Sequence, residues 1–177
     1  MKRISLRAVF FIFTLMPAYC MAFDSQHSSN TSDTSVRSPL SDLISLYYEL
    51  KDALVADDAS LASVRASALL QALNNIDAQK LSEGERKIFG SLQPKLSYDA
   101  RHISEVKAIE HQREHFAALS LNMSKLAKEA RISDHPVYKM YCPMKKSYWL
   151  SKESVIANPY YGKEMLTCGE ISEVIKC

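Results

Sequence analysis

Ser82–Ala130, SEGERKIFGSLQPKLSYDARHISEVKAIEHQREHFAALSLNMSKLAKEA, is the stretch from which the architecture of this chain follows. Ser82 and Glu85 stand three apart, the spacing of a capping box. One helical stripe then runs through Ile88, Phe89, Leu92, Leu96, Ile103, Val106, Ile109, Phe116, Leu119, Met123 and Leu126. A single helix over this span would be roughly 70 Å long. The helical segments before it are about 18 residues, or roughly 27 Å. Much of one long rod would therefore have nothing to pack against. The stretch is expected to fold back near Ser104–Lys107 into two helices of about 22 residues each. Pro94 is expected to kink the first of them. No Gly or Pro marks the reversal, so its place rests on geometry alone.

Two shorter helices precede it. Ser38-Pro39 has the chemistry of a helix start, with Ser at the cap, Pro at the first helical position and Asp42 in the first turn. Leu40, Leu43, Ile44, Tyr47, Leu50 and Leu54 then form one face. Ala56-Asp57-Asp58 breaks the run, and either aspartate can cap the next helix. Its expected apolar stripe is Leu61, Val64, Ala68, Leu69, Leu73 and Ile76. A connection this short makes neighbouring helices antiparallel. The expectation is a mainly α protein: an antiparallel four-helix bundle carrying a C-terminal, loop-rich cap with short strands or turns.

Before the bundle, residues 1–22 have the pattern of a secretory signal. Lys2, Arg3 and Arg7 precede the apolar run Ala8–Leu15, which is too short to span a bilayer. Cleavage is expected near Ala22. Lipidation at Cys20 is disfavoured because Tyr19 is not small. Export would then place the mature protein in the periplasm, with no stable membrane span. Of the fifteen residues 24–38, eight are Ser or Thr, and such a segment cannot bury enough surface to offset its ordering entropy. Residues 23–38 are therefore expected to be a flexible tether, and 39–177 a single domain. The leader holds three positive charges and no acid, so its loss takes the formal charge from +2 to −1. A nearly neutral domain offers no electrostatic case for nucleic acid.

Composition changes from about residue 132. Pro136, Pro143 and Pro159 arrive together with Tyr138, Tyr141, Tyr148, Trp149, Tyr160 and Tyr161. Val137–Tyr141 and Ser147–Ser151 have strand character, and Asn158-Pro159 and Gly162 have turn chemistry. Cys142 lies two from Met144, and Met165 three from Cys168. Thiolate and thioether sulfur are soft donors that favour Cu(I) or Ag(I). In an oxidising compartment Cys142 and Cys168 equally suit a structural disulfide. Both readings stay open, and Met144 and Met165 also suit plain gap-filling. Removing the leader leaves three cysteines, with the terminal Cys177 the odd one. The twenty-six-residue separation of Cys142 and Cys168 is no redox Cys-x-x-Cys motif.

His111 and His115, four apart on a helix, share a face and form half of a possible metal site. The order His-Gln-Arg-Glu-His lacks the glutamate position of a zinc protease, and a metal-free helix face explains the pair as simply. His102 falls on the opposite face by its spacing from His111, and His135 in a loop; neither is given a role. No phosphate loop or recognisable nucleophile is present, so no enzymatic activity is expected.

Three pieces carry a resemblance. They are Tyr48–Asp58; Gln112–Phe116 with Leu119-Ser120; and Tyr141-Cys142-Pro143-Met144, Trp149–Ser151, Asn158–Gly162 and Met165–Glu170. In these pieces the chain resembles a domain of unassigned function in exported bacterial proteins. That domain is also found at the C-termini of periplasmic adaptor subunits of copper/silver efflux pumps. The likeness runs from about Leu40 to Ile175. It implies an envelope protein of metal handling, most naturally of copper, with Cys142, Met144, Met165 and Cys168 as ligands and His111 and His115 as second-choice donors. Efflux components or another envelope protein would be its partners. The chain lacks the adaptors' hairpin, lipoyl and barrel domains, so pump assembly is not implied. The competing expectation is a metal-free interaction module clasped by a Cys142–Cys168 disulfide.

Overall fold

The computed structural model describes residues 38–176. The expected leader, Cys20, the tether up to residue 37 and Cys177 lie outside the described residues. Four helices come first: α1 (Ser41–Val55), α2 (Ala59–Asn75), α3 (Glu83–Glu105) and α4 (Ile109–Ala130). Three strands follow: β1 (Val137–Cys142), β2 (Ser147–Ser151) and β3 (Glu170–Ile175). They form an antiparallel sheet in the order β2-β1-β3. Each helix packs chiefly on the next in sequence, and β2 lies against α4. The protein is mainly α, a helical bundle with a small sheet laid on it. No described helix is long and apolar enough to cross a membrane.

The fold-back falls at Val106–Ala108, overlapping the expected Ser104–Lys107, between helices of 23 and 22 residues. A buried amide explains how the turn manages without Gly or Pro. Nε2 of Gln112 donates toward the carbonyls of Val106 (2.9 Å), Ile103 (3.3 Å) and Ala59 (3.0 Å) and the Ser63 hydroxyl (3.0 Å). Two N–H bonds are thus shared among the first turn of α2 and the open C-terminal end of α3, where helical carbonyls lack partners. Pro94 does not end α3. Both Pro94 and Gly90, whose carbonyl loses its helical donor, are exposed. Water can take that bond, which lowers the usual cost of a mid-helix proline.

The capping box at Ser82 and Glu85 is present in both directions. Asp58 caps α2 through the Leu61 amide, 2.8 Å away. Two local expectations need correction. The Ser38 hydroxyl accepts the Leu40 amide as a cap would (3.2 Å), but bonds from Ser41 and Leu43 to carbonyls three residues back delay regular α-helix to Ser41. In α2 the buried stripe is Ala62, Ala66, Leu69 and Leu73, while Leu61 and Val64 are exposed. Small alanines win the inner face because α2 is sandwiched between α1 and α3, and close approach favours the smaller side chain.

Tyr47 of α1 fastens the sheet to the bundle. Its fully buried hydroxyl accepts the Leu150 amide of β2 at 3.0 Å and pairs with the Ser120 hydroxyl of α4 at 2.7 Å. Its ring stacks on Phe116 (centroids 5.3 Å apart), which contacts Tyr160, which in turn meets Trp149 edge-on. This aromatic series carries the core from the helices to the C-terminal cap, residues 132–176, here called the lid, as large rings that retain a polar handle do well.

Candidate functional site

The three sequence pieces that carried the resemblance meet around one side chain. Arg113 of α4 is buried and donates to the Pro159 carbonyl of the lid (2.8 Å) and the Leu54 carbonyl at the end of α1 (3.1 Å). It also pairs with the Asp57 carboxylate of the α1–α2 turn at 2.5 Å. Asp57 adopts positive φ (62°), and its other oxygen accepts the Lys163 amide at 3.1 Å. The Lys163 N–H and the guanidinium hold the Asp57 carboxyl below the usual carboxylate range. Gly162 sits directly over this pair, with φ 52°. A Cβ there would lie 2.0 Å from Asp57 Oδ1 and 2.7 Å from an Arg113 nitrogen, so both backbone and space demand glycine. A planar fork with several donors suits such a junction as no other side chain does.

This junction fixes the lid, and the lid brings its cysteines together. Cys142 ends β1, while Cys168 and Gly169 lead into β3. The pairing of Tyr141 with Glu170 sets these two strand ends side by side. Asn158, fully buried, donates to the Cys142 sulfur (3.2 Å) and the Cys168 carbonyl (2.6 Å), while its Oδ1 accepts the Tyr160 amide (2.8 Å). Gly169 lets the strand pass under Trp149, because a Cβ would come within 2.6 Å of the indole. Both cysteines are free thiols. Desolvation and the neighbouring Cys142 sulfur push the Cys168 thiol up, against a backbone N–H from Met144. Cys142 is buried and Cys168 half-buried, with Met144 and Met165 exposed on the flanking turns. Chemically this is an unbridged dithiol with one thiol fully buried and the other half-buried beside the exposed methionines.

The histidines lie elsewhere. His111 and His115 contact each other (ring centres 5.0 Å), and His115 stacks on His102 of α3 at 4.6 Å. Nδ1 of His115 lies 3.0 Å from the buried carboxylate of Asp99, also on α3. Desolvation raises the Asp99 carboxyl, opposed by its hydrogen bond to His115. The placement of His102 on the opposite face is thus corrected: the turn at 106–108 swings α3 alongside α4, and positions equidistant from that turn face one another. The same geometry was the signal that would have placed Asp99 opposite His115. Among the described residues no three His, Cys, Asp or Glu side chains converge as a ready-made metal cage.

A bundle of four sequentially packed helices, with a small antiparallel sheet fastened to it by Tyr47 and the loop after β2 held by one buried arginine, defines the class of this protein. The family model described as "Protein of unknown function (DUF3347)" matches residues 43–135, more than half of the chain, and the chain belongs to that family. The matched span takes in Asp57, Arg113 and all three clustered histidines, while the cysteine-bearing lid lies beyond it. No curated protein and no solved structure matches the chain.

Proposed function

We propose that the lid captures a soft monovalent ion, Cu(I) or Ag(I), between Cys142 and Cys168 and hands it on. The observation that carries this is the convergence of two unbridged cysteines, held by Asn158, at the end of adjacent strands. Thiolates are preferred donors for Cu(I). Met144 and Met165 are exposed on the two turns beside the pair, where thioethers would serve an arriving or departing ion. The thiols must lose protons to bind, so capture releases protons and weakens in acid. His111 and His115 make their ring contacts with α3 and with each other, and this reading does not require them. The signal-like residues 1–22 and the resemblance to the C-terminal domain of copper/silver efflux adaptors support an envelope location and efflux components as partners. The role is binding, not catalysis.

Native mass spectrometry of the reduced full chain with Cu(I) tests it. One ion per chain is expected, lost in the Cys142→Ser, Cys168→Ser double variant. Unchanged stoichiometry in that variant would remove the thiol site. The same convergence favours a second reading, a metal-free interaction module clasped by a Cys142–Cys168 disulfide. Counting free thiols on the exported protein separates the two, since the module requires both to be blocked.

A further inference from the structure

We propose that His102, His111 and His115 form a second site, on the flank where α3 and α4 pack, for a divalent borderline cation such as Zn2+. The argument begins with the nitrogens. Nδ1 of His102 lies 3.0 Å from the Tyr98 carbonyl, which can only accept, so that nitrogen carries the proton. Nδ1 of His115 is 3.0 Å from the Asp99 carboxylate, and Nδ1 of His111 is 3.8 Å from Glu114 Oε2. His102 and His115 thus hold Nδ1 against an oxygen acceptor, while His111 has a carboxylate nearby but no hydrogen bond. In the neutral rings of His102 and His115 that leaves Nε2 with its lone pair, which is the tautomer a metal takes. An imidazole whose far N–H is held by a carbonyl or carboxylate is the usual support for a metal-binding histidine.

Spacing agrees. Two imidazoles on one tetrahedral ion, with metal–nitrogen bonds of about 2.0–2.1 Å, put their ring centres about 5 Å apart. His102–His115 and His111–His115 stand at 4.6 and 5.0 Å. His102 stacks on His115 and His111 is tilted to it by 47°, so the rings do not converge; His111 must swing, and His102 pivot about its bond to the Tyr98 carbonyl, to close on an ion. His111 is half exposed and free to do so, whereas His115 is only 17% exposed and is held by Asp99. Two ligands held through Nδ1 and one adjustable one, with a fourth position left to water, describe an open site. Neutral imidazole suits Zn2+ and its neighbours in the series, whereas the lid's sulfurs suit a softer ion.

The experiment is titration of the full chain with Co2+, read by visible absorption, and then displacement by Zn2+. One equivalent with tetrahedral or five-coordinate nitrogen-type bands and no thiolate charge-transfer band is expected. His102→Ala and His111→Ala should each weaken binding at least about tenfold, and Asp99→Asn by about 10–100-fold through its hold on His115. His135→Ala should leave binding unchanged. Affinity should fall as pH drops through about 6.5, where free imidazole protonates. Wild-type affinity in both His102→Ala and His111→Ala overturns the proposal. So does the absence of Co2+ and Zn2+ binding, or a thiolate band that vanishes in the Cys142→Ser, Cys168→Ser variant. Weakened or unchanged binding in the histidine variants leaves the lid reading untouched, whereas a thiolate band would place the cation on the lid cysteines, so failure of this site and failure of the lid site are distinguishable.

Discussion

Arg113 and Asp57, fifty-six residues apart in the chain, meet at 2.5 Å at the point where the α1–α2 turn, α4 and the lid touch. The guanidinium also holds the Leu54 and Pro159 carbonyls, so a single side chain ties two helix ends to the turn that positions Asn158 and, through it, both cysteines.

Arg113→Met is expected to lower stability by about 2–4 kcal/mol, because two buried carbonyls and a third-exposed carboxylate lose their partner together. Arg113→Lys should recover less than half of that, since one ammonium cannot span the acceptors a planar fork reaches. Urea denaturation measures both. Wild-type stability in Arg113→Lys would show that charge alone, and not the fork, matters here.

The pH dependence of that junction has a definite sign. Asp57 is held below its ordinary value of 3.8, first by the Lys163 amide and then by Arg113. A carboxylate whose folded pKa is depressed contributes stability that is fully present well above its unfolded pKa and is lost as pH falls through the folded one. Wild type should therefore be more stable than Asp57→Asn at pH 7. The gap should narrow progressively as pH falls below about 4. Thermal melts of both proteins between pH 7 and the acid limit test this, and a gap independent of pH contradicts it.

Beside Arg113 on α4, the Gln112 amide nitrogen faces only acceptors: three carbonyls and the Ser63 hydroxyl. Gln112→Glu replaces that donor by an oxygen and buries a charge, so it should be more harmful than the nearly isosteric Gln112→Met, which is expected to cost about 1–3 kcal/mol. Acidification should partly rescue the glutamate, which regains a donor when protonated. Hydrogen exchange at Val106–Ala108 should rise in both variants. Equal stability of the two at neutral pH would show that the amide does not organise the corner.

Much of the architecture was legible because it is written in local chemistry. The 3.6-residue stripe of α1, the Ser82–Glu85 capping box and the Asp58 cap each act within a few residues. Chain length alone required a reversal in the long stretch, since a rod without partners buries nothing. Where the sequence misled, the cause was non-local. Val64 belongs to an apolar pattern, but α2 is squeezed between two neighbours and presents Ala62 and Ala66 inward. The strand β3 escaped notice because Glu170–Ile175 is mostly exposed and carries little hydrophobic alternation; its strand character comes from pairing with β1.

The candidate sites divide in the same way. The sequence by itself determined which residues have sulfur or imidazole to offer, and that Cys142, Cys168, His111 and His115 lie in segments able to present them. Only the tertiary structure decided who meets whom. Strand register sets Cys168 against Cys142 beneath Asn158, the turn at Val106–Ala108 delivers His102 and Asp99 to His115, and Arg113 finds Asp57 and Pro159. Residue type and short-range period are local properties of a chain, whereas these encounters depend on how far each segment must fold back to bury its apolar face.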